Sequence, residues 1–168
     1  MDLQEGWSGR YLEDFEVGDI YKHPLGRTVT EADAIWLSGL SMSSNKLYFN
    51  EAYAKEAGFE GIVVSAAFTL ALVTGMSVND ISQNGINLEW ISIDTGEPLY
   101  IGETVYAQSE VVDVRSSKSK PGQGIVTVKT TGYTQSGKVV LELKRSILVY
   151  KKEAAPQMQL FPKTPEWS

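Results

Sequence analysis

The sequence predicts one α+β domain in which an antiparallel sheet curls around a single long apolar helix. Three observations carry this prediction. Ser65 to Met76, SAAFTLALVTGM, is apolar on nearly every face, the pattern of a helix surrounded by protein. After residue 86 the character changes to segments rich in Val, Ile, Tyr and Thr. Two turn signals then join the last three of those segments into an antiparallel meander.

The elements follow in order. A first strand is expected from Asp19 to His23, with His23, just before Pro24, read as a surface or strand-end histidine. Thr30 is a plausible N-cap with Glu31 and Asp33 in the first turn, which predicts a helix over 31–39. Asn50 can cap a second short helix, Glu51 to Glu56, that Gly58 would end. Between the two lies an irregular loop, Ser41 to Phe49. Four long strands are expected at Leu88 to Asp94, Glu103 to Arg115, Gly124 to Tyr133 and Lys138 to Tyr150. In the last, Leu141, Leu143 and Ile147 alternate with Glu142, Lys144 and Ser146. Gln135-Ser136-Gly137 reads as a tight hairpin turn and Lys118 to Gly124 as a longer one.

Composition removes several classes of function. A length of 168 residues suits one domain, with a core at about 15–150 and a C-terminal extension over 151–168. A net charge of -6 argues against a phosphate backbone as partner, so nucleic acid is not expected. With no cysteine and one histidine, a thiol nucleophile and a zinc site are excluded, and no cofactor is expected. The longest apolar run, Ile62 to Met76, is 15 residues and is broken by Ser65, Thr69 and Thr74, so no membrane span is expected. The N-terminal residues show no basic or apolar signal region, which gives a cytoplasmic expectation.

From Phe15 to about Tyr150 the chain resembles the MaoC-like, or (R)-specific enoyl-CoA hydratase, family of hot-dog proteins. The resemblance rests on EVGD at Glu16 to Asp19, RTVTEAD at Arg27 to Asp33, and Asn45 followed by Leu47. It continues in EAYAKEAGF at Glu51 to Phe59, LVTG at Leu72 to Gly75 and LYIGETVYAQSEV at Leu99 to Val111. It implies a sheet wrapped around the long helix, a homodimer, and an acyl-CoA or acyl-carrier thioester in a tunnel between subunits. The implied reaction is reversible addition of water across a trans-2-enoyl thioester.

That chemistry needs a base for water, an acid for the α-carbon, and donors aimed at the carbonyl oxygen. In the family an Asp and a His in the pattern G-D-x-N-P-x-H-x-D supply the proton transfers. The pattern aligns to Met42 through Asn50, which puts Ser43 at the Asp position, Tyr48 at the His position and Asn50 at the final Asp. Only Asn45 and Leu47 agree with it. The family's His-Gly pair at the start of the central helix falls on Ser65-Ala66, and its serine in that helix on Thr74.

Serine is no base near pH 7, and a tyrosine of ordinary pKa, about 10, stays protonated there. The resemblance therefore leaves Tyr48 as candidate proton donor, with Ser43 and Asn45 placing substrate or water. Ser65, Thr74, Asn50 and the Ala66 amide are candidates for substrate binding. Bland readings stand beside these: Asn50 as a helix cap, Asn45 and the serines as loop or cap residues, and Tyr48 as a buried aromatic with a polar tip. Any base would have to come from elsewhere in the chain, such as Glu51 or Glu60.

Two functions follow as expectations. One is an acyl-thioester lyase of hydratase/dehydratase type with an altered mechanism, leaning on Tyr48 for elimination or isomerisation. The other is a non-catalytic thioester-binding subunit that pairs with an active homologue in a heterodimer. A purely structural interaction domain is a third reading.

Overall fold

Three side-chain caps set where the helices begin. Thr30 Oγ1 accepts from the Asp33 N–H at 3.2 Å, and Asp33 accepts from the Thr30 N–H at 3.0 Å. This reciprocal capping box starts α1, Glu31–Leu40, one residue longer than predicted. Asn50 Oδ1 accepts from the Tyr53 N–H at 3.0 Å and starts α2, Glu51–Glu56. Gly58, at φ 87°, ends that helix in a conformation that costs glycine little. Ser65 Oγ accepts from the Phe68 N–H at 3.3 Å and starts the central helix α3, Ala66–Ser77. A π-helical turn, Val78–Ser82, prolongs it. These elements belong to a computed structural model that describes residues 6–156, so most of the expected 151–168 extension lies outside the described residues.

Five antiparallel strands form one sheet: β1 (Ile20–Thr28), β2 (Gly85–Thr95), β3 (Thr104–Ser116), β4 (Gln123–Thr134) and β5 (Val139–Tyr150). Their order is β1-β3-β4-β5-β2, so the predicted meander of the last three holds and β2 is an edge. The first strand runs well past His23. It continues through Pro24 to Thr28 because the register with β3 slips between His23 and Arg27. An edge strand tolerates proline, which has no N–H for the ladder.

His23 is not the surface or strand-end histidine expected. It is 3% exposed, pairs with Ala107 of β3, and has both ring nitrogens engaged, by half-buried Asp80 and buried Ser109. The proline beside it suggested a strand end, but the bulge carries the strand onward.

The apolar face of α3 lies on β3, β4 and β5. Gly132 of β4 permits the close approach: a Cβ there would meet Val73 Cγ2 of α3 at 2.6 Å. The core divides into two clusters. One holds Val73, Val105, Ala107, Leu141 and Leu143; the other holds Ile81, Val111, Val126, Val128 and Ile147. A polar seam parts them, since Ser109 falls between Ala107 and Val111 on β3, and Arg145 between Leu143 and Ile147 on β5. Among the described residues no helix is long and apolar enough to cross a membrane.

Candidate functional site

Tyr48 ends a one-turn 3₁₀ helix, Lys46–Tyr48, that Asn45 caps: its Oδ1 accepts from the Leu47 N–H at 3.1 Å. The Leu47 carbonyl accepts from the Val63 N–H at 3.0 Å, and the Leu99 carbonyl from the Val64 N–H at 2.8 Å. These bonds stitch the Tyr48 turn to the segment that enters α3. Tyr48 and Ala66 consequently line one cavity of about 170 Å³, together with Thr69, Glu97, Leu99 and Val140. Ala66 is the first residue of α3, so its N–H has no intrahelical partner and sits at the positive end of the helix dipole. That end of the cavity suits a carbonyl oxygen on which negative charge develops.

The other expected site residues are placed differently. Asn45 and Asn50 are exposed, and their side-chain oxygens serve as helix caps. Ser65 is buried and its hydroxyl is likewise a cap. Ser43 is half-buried and its N–H donates to the Ser38 carbonyl at 2.9 Å. Met42, at the glycine position of the family pattern, keeps a positive φ of 53°. Tyr48 is half-buried, more open than the buried aromatic reading. Thr74 does not line the cavity; its hydroxyl is buried with no hydrogen-bond partner.

Glu51 and Glu60 line a separate cavity of about 420 Å³ beside Glu31 and Tyr100. The carboxylate in the Tyr48 cavity is Glu97, in the turn after β2, where its N–H donates to the Val139 carbonyl at 2.8 Å. Sequence reasoning missed it, because a glutamate before Pro98 in a turn carries no periodic signal. Gly96 beside it is held tightly: a Cβ there would clash with the Val139 carbonyl oxygen.

The polar seam lies deeper, under the far end of α3. His23 Nδ1 meets Asp80 Oδ2 at 3.0 Å and His23 Nε2 meets Ser109 Oγ at 2.8 Å, while Ser109 Oγ meets Thr130 Oγ1 at 2.7 Å. Arg10 reaches the same Asp80 at 3.7 Å. The order Asp-His-Ser resembles a nucleophilic triad, yet Ser109 is fully buried, so no substrate reaches it. Burial lowers the His23 pKa against the opposing pull of Asp80, with Arg145 lowering it further. Arg145 is also buried, and this lowers its own pKa to about 10, still cationic at neutral pH.

The sequence profile of the mesaconyl-CoA hydratase family matches residues 3–158. The chain belongs to this MaoC-like family. It is 30% identical over 149 residues to a mesaconyl-CoA hydratase from Cereibacter sphaeroides, a match that takes in 88% of the chain and 43% of that protein. An (R)-specific enoyl-CoA hydratase from Rhodospirillum rubrum is 28% identical over 139 residues, 83% of the chain and 91% of that protein. The crystal structure of a MaoC domain protein from Chloroflexus aurantiacus superposes with a TM-score of 0.85 at 30% identity, covering 97% of the chain and 47% of its own. The architecture is the hot-dog fold. The chain thus spans less than half of the mesaconyl-CoA hydratase it matches and most of the (R)-specific enoyl-CoA hydratase.

Proposed function

We propose that this family member is an acyl-thioester hydratase/dehydratase that works with Tyr48 and Glu97 in place of the Asp/His pair. The observation that carries the reading is the shared cavity of Tyr48, Glu97 and the α3 N-terminus at Ala66. The thioester oxygen accepts from the Ala66 N–H. Glu97 takes a proton from water as its oxygen bonds to the β-carbon, and enolate charge gathers on the thioester oxygen. The Tyr48 hydroxyl then gives its proton to the α-carbon, and the protonated Glu97 restores it. The reverse sequence eliminates water from a 3-hydroxyacyl thioester.

A second reading rests on the substitutions at Ser43, Tyr48 and Ser65 and on an apolar edge. Strand β2 exposes Ile86, Leu88, Trp90, Ile91 and Ile93, a surface suited to pairing with another hot-dog unit. In this reading the chain holds the thioester while a homologue in a heterodimer supplies the acid and base. A homodimer through the same edge accompanies the first reading.

Incubation of the purified chain with crotonyl-CoA and with 3-hydroxybutyryl-CoA, read by mass spectrometry, separates the two. Interconversion of the pair supports the enzyme. Binding without interconversion, restored by adding a hydratase homologue, supports the subunit.

A further inference from the structure

We infer that Lys138 and Glu103 are positioning residues that hold the turn carrying Glu97 at a fixed reach from the Ala66 amide. The inference rests on the reading of Glu97 as the base and adds what places it.

Glu97 lies in the turn between β2 and β3, and the tip of the β4–β5 hairpin grips that turn at both ends. At the near end the Gly96 and Glu97 N–H groups donate to the Val140 and Val139 carbonyls at 3.2 and 2.8 Å. Pro98 confines the backbone of the residue before it, Glu97, to extended conformations. At the far end the Thr104 N–H donates to Gln135 Oε1 at 2.7 Å.

Lys138 braces the middle. Its own backbone is fixed, since its N–H donates to Thr134 Oγ1 at 3.2 Å and its carbonyl accepts from the Thr134 N–H at 2.9 Å. Its ammonium meets three groups of the turn: it donates to the Pro98 carbonyl at 3.4 Å, pairs with Glu103 Oε1 at 3.1 Å, and lies 5.5 Å from the Tyr100 ring centroid. Glu103 uses its second oxygen too, because Oε2 accepts from the Tyr100 N–H at 2.8 Å. The same turn docks on the head of α3: the Leu99 carbonyl accepts from the Val64 N–H at 2.8 Å, and Tyr100 bridges to Val63. One braced turn therefore sets the distance between Glu97 and the Ala66 amide. A misplacement of about 1 Å in such a pair is enough to lose roughly a hundredfold in rate. The ion pair is partly exposed, 35% at Lys138 and 18% at Glu103, so it adds little to stability.

The test is the kinetics of crotonyl-CoA hydration by the full-length chain as wild type, Lys138→Met, Glu97→Gln and the double variant, with a thermal melt of each. Lys138→Met should lower kcat by about 10- to 100-fold, with KM within about threefold and melting within about 2 °C of wild type. In the Glu97→Gln background the same change should cost less than about twofold, because the group it positions is gone. Glu103→Gln keeps an acceptor for the Tyr100 N–H and removes the charge facing Lys138, so it should repeat the result even if K138M does not fold. A wild-type rate in folded K138M and E103Q, or an equal loss with and without Glu97, overturns the positioning role while Glu97 stands as the base. No turnover by wild type, or full rate in Glu97→Gln, overturns the reading of Glu97 and this inference with it. Hydrogen exchange gives a second readout: the Gly96 and Glu97 amides should exchange several-fold faster in K138M, and unchanged exchange overturns the brace whatever the turnover.

Discussion

His23 of β1 and Asp80 of the π-helical turn, 57 positions apart, meet at 3.0 Å and fasten the end of the central helix to the edge of the sheet. The imidazole is the chain's one histidine, so its titration is isolated from others. Burial lowers its pKa below the ordinary 6.5, so the unfolded chain binds the proton more readily than the folded one. Stability from this group is full above the unfolded value and is lost as pH falls through 6.5 toward the folded pKa. The melting temperature should therefore drop between pH 7.5 and pH 6. His23→Gln should flatten that slope, and a slope equal to wild type in the variant would show that another group carries it.

The approach of α3 to the sheet depends on Gly132. A methyl group there lies 2.6 Å from Val73 Cγ2, a fully buried side chain with no room to retreat. Gly132→Ala should cost about 1–3 kcal/mol in urea unfolding, through overpacking. An unchanged midpoint would mean that the helix shifts freely on β4.

Met42 holds a left-handed φ of 53° and is 91% exposed, so it gives up little packing for the strain. Met42→Gly should stabilise the fold by up to about 1 kcal/mol, the strain relief being partly offset by the freer unfolded glycine. A clear loss of stability by thermal melt would count against strain at this position.

Turnover should divide from binding at the two cavity groups. Tyr48→Phe and Glu97→Gln should each lower the interconversion rate by about 10²- to 10⁴-fold while acyl-CoA affinity stays within a few-fold of wild type. Full activity in either variant would take that residue out of the proposed proton transfers. Glu51→Gln, whose side chain lines the separate cavity beside Lys55, should leave the rate unchanged.

The fold was largely legible because its signals are local. Thr30, Asn50 and Ser65 cap the three helices, and residue alternation marks the late strands. The seam was harder to read. The alternation that sends Leu141, Leu143 and Ile147 inward also sends Arg145 inward, yet a charged residue invites an outward reading. His23 was misjudged because the bulge that carries β1 past Pro24 depends on pairing with β3, a distant contact. Of the residues the motif alignment singles out, the structure brings Tyr48 and Ala66 to one cavity and uses Asn45, Asn50 and Ser65 as caps. Glu97 reaches the cavity only through the sheet edge that β2 and β5 form together.

The Ala66 amide is the hinge of the functional account, and proline tests it with little disturbance to the helix. Proline is favoured at the first helical position, and Ser65, at φ -62° and ψ 142°, already has the extended backbone that a following proline requires. Calorimetric titration of butyryl-CoA into wild type and Ala66→Pro, with a thermal melt of each, isolates the missing N–H. Unchanged melting with at least about tenfold weaker binding is the predicted result. Equal affinity in a folded Ala66→Pro protein would contradict thioester binding at the head of the central helix.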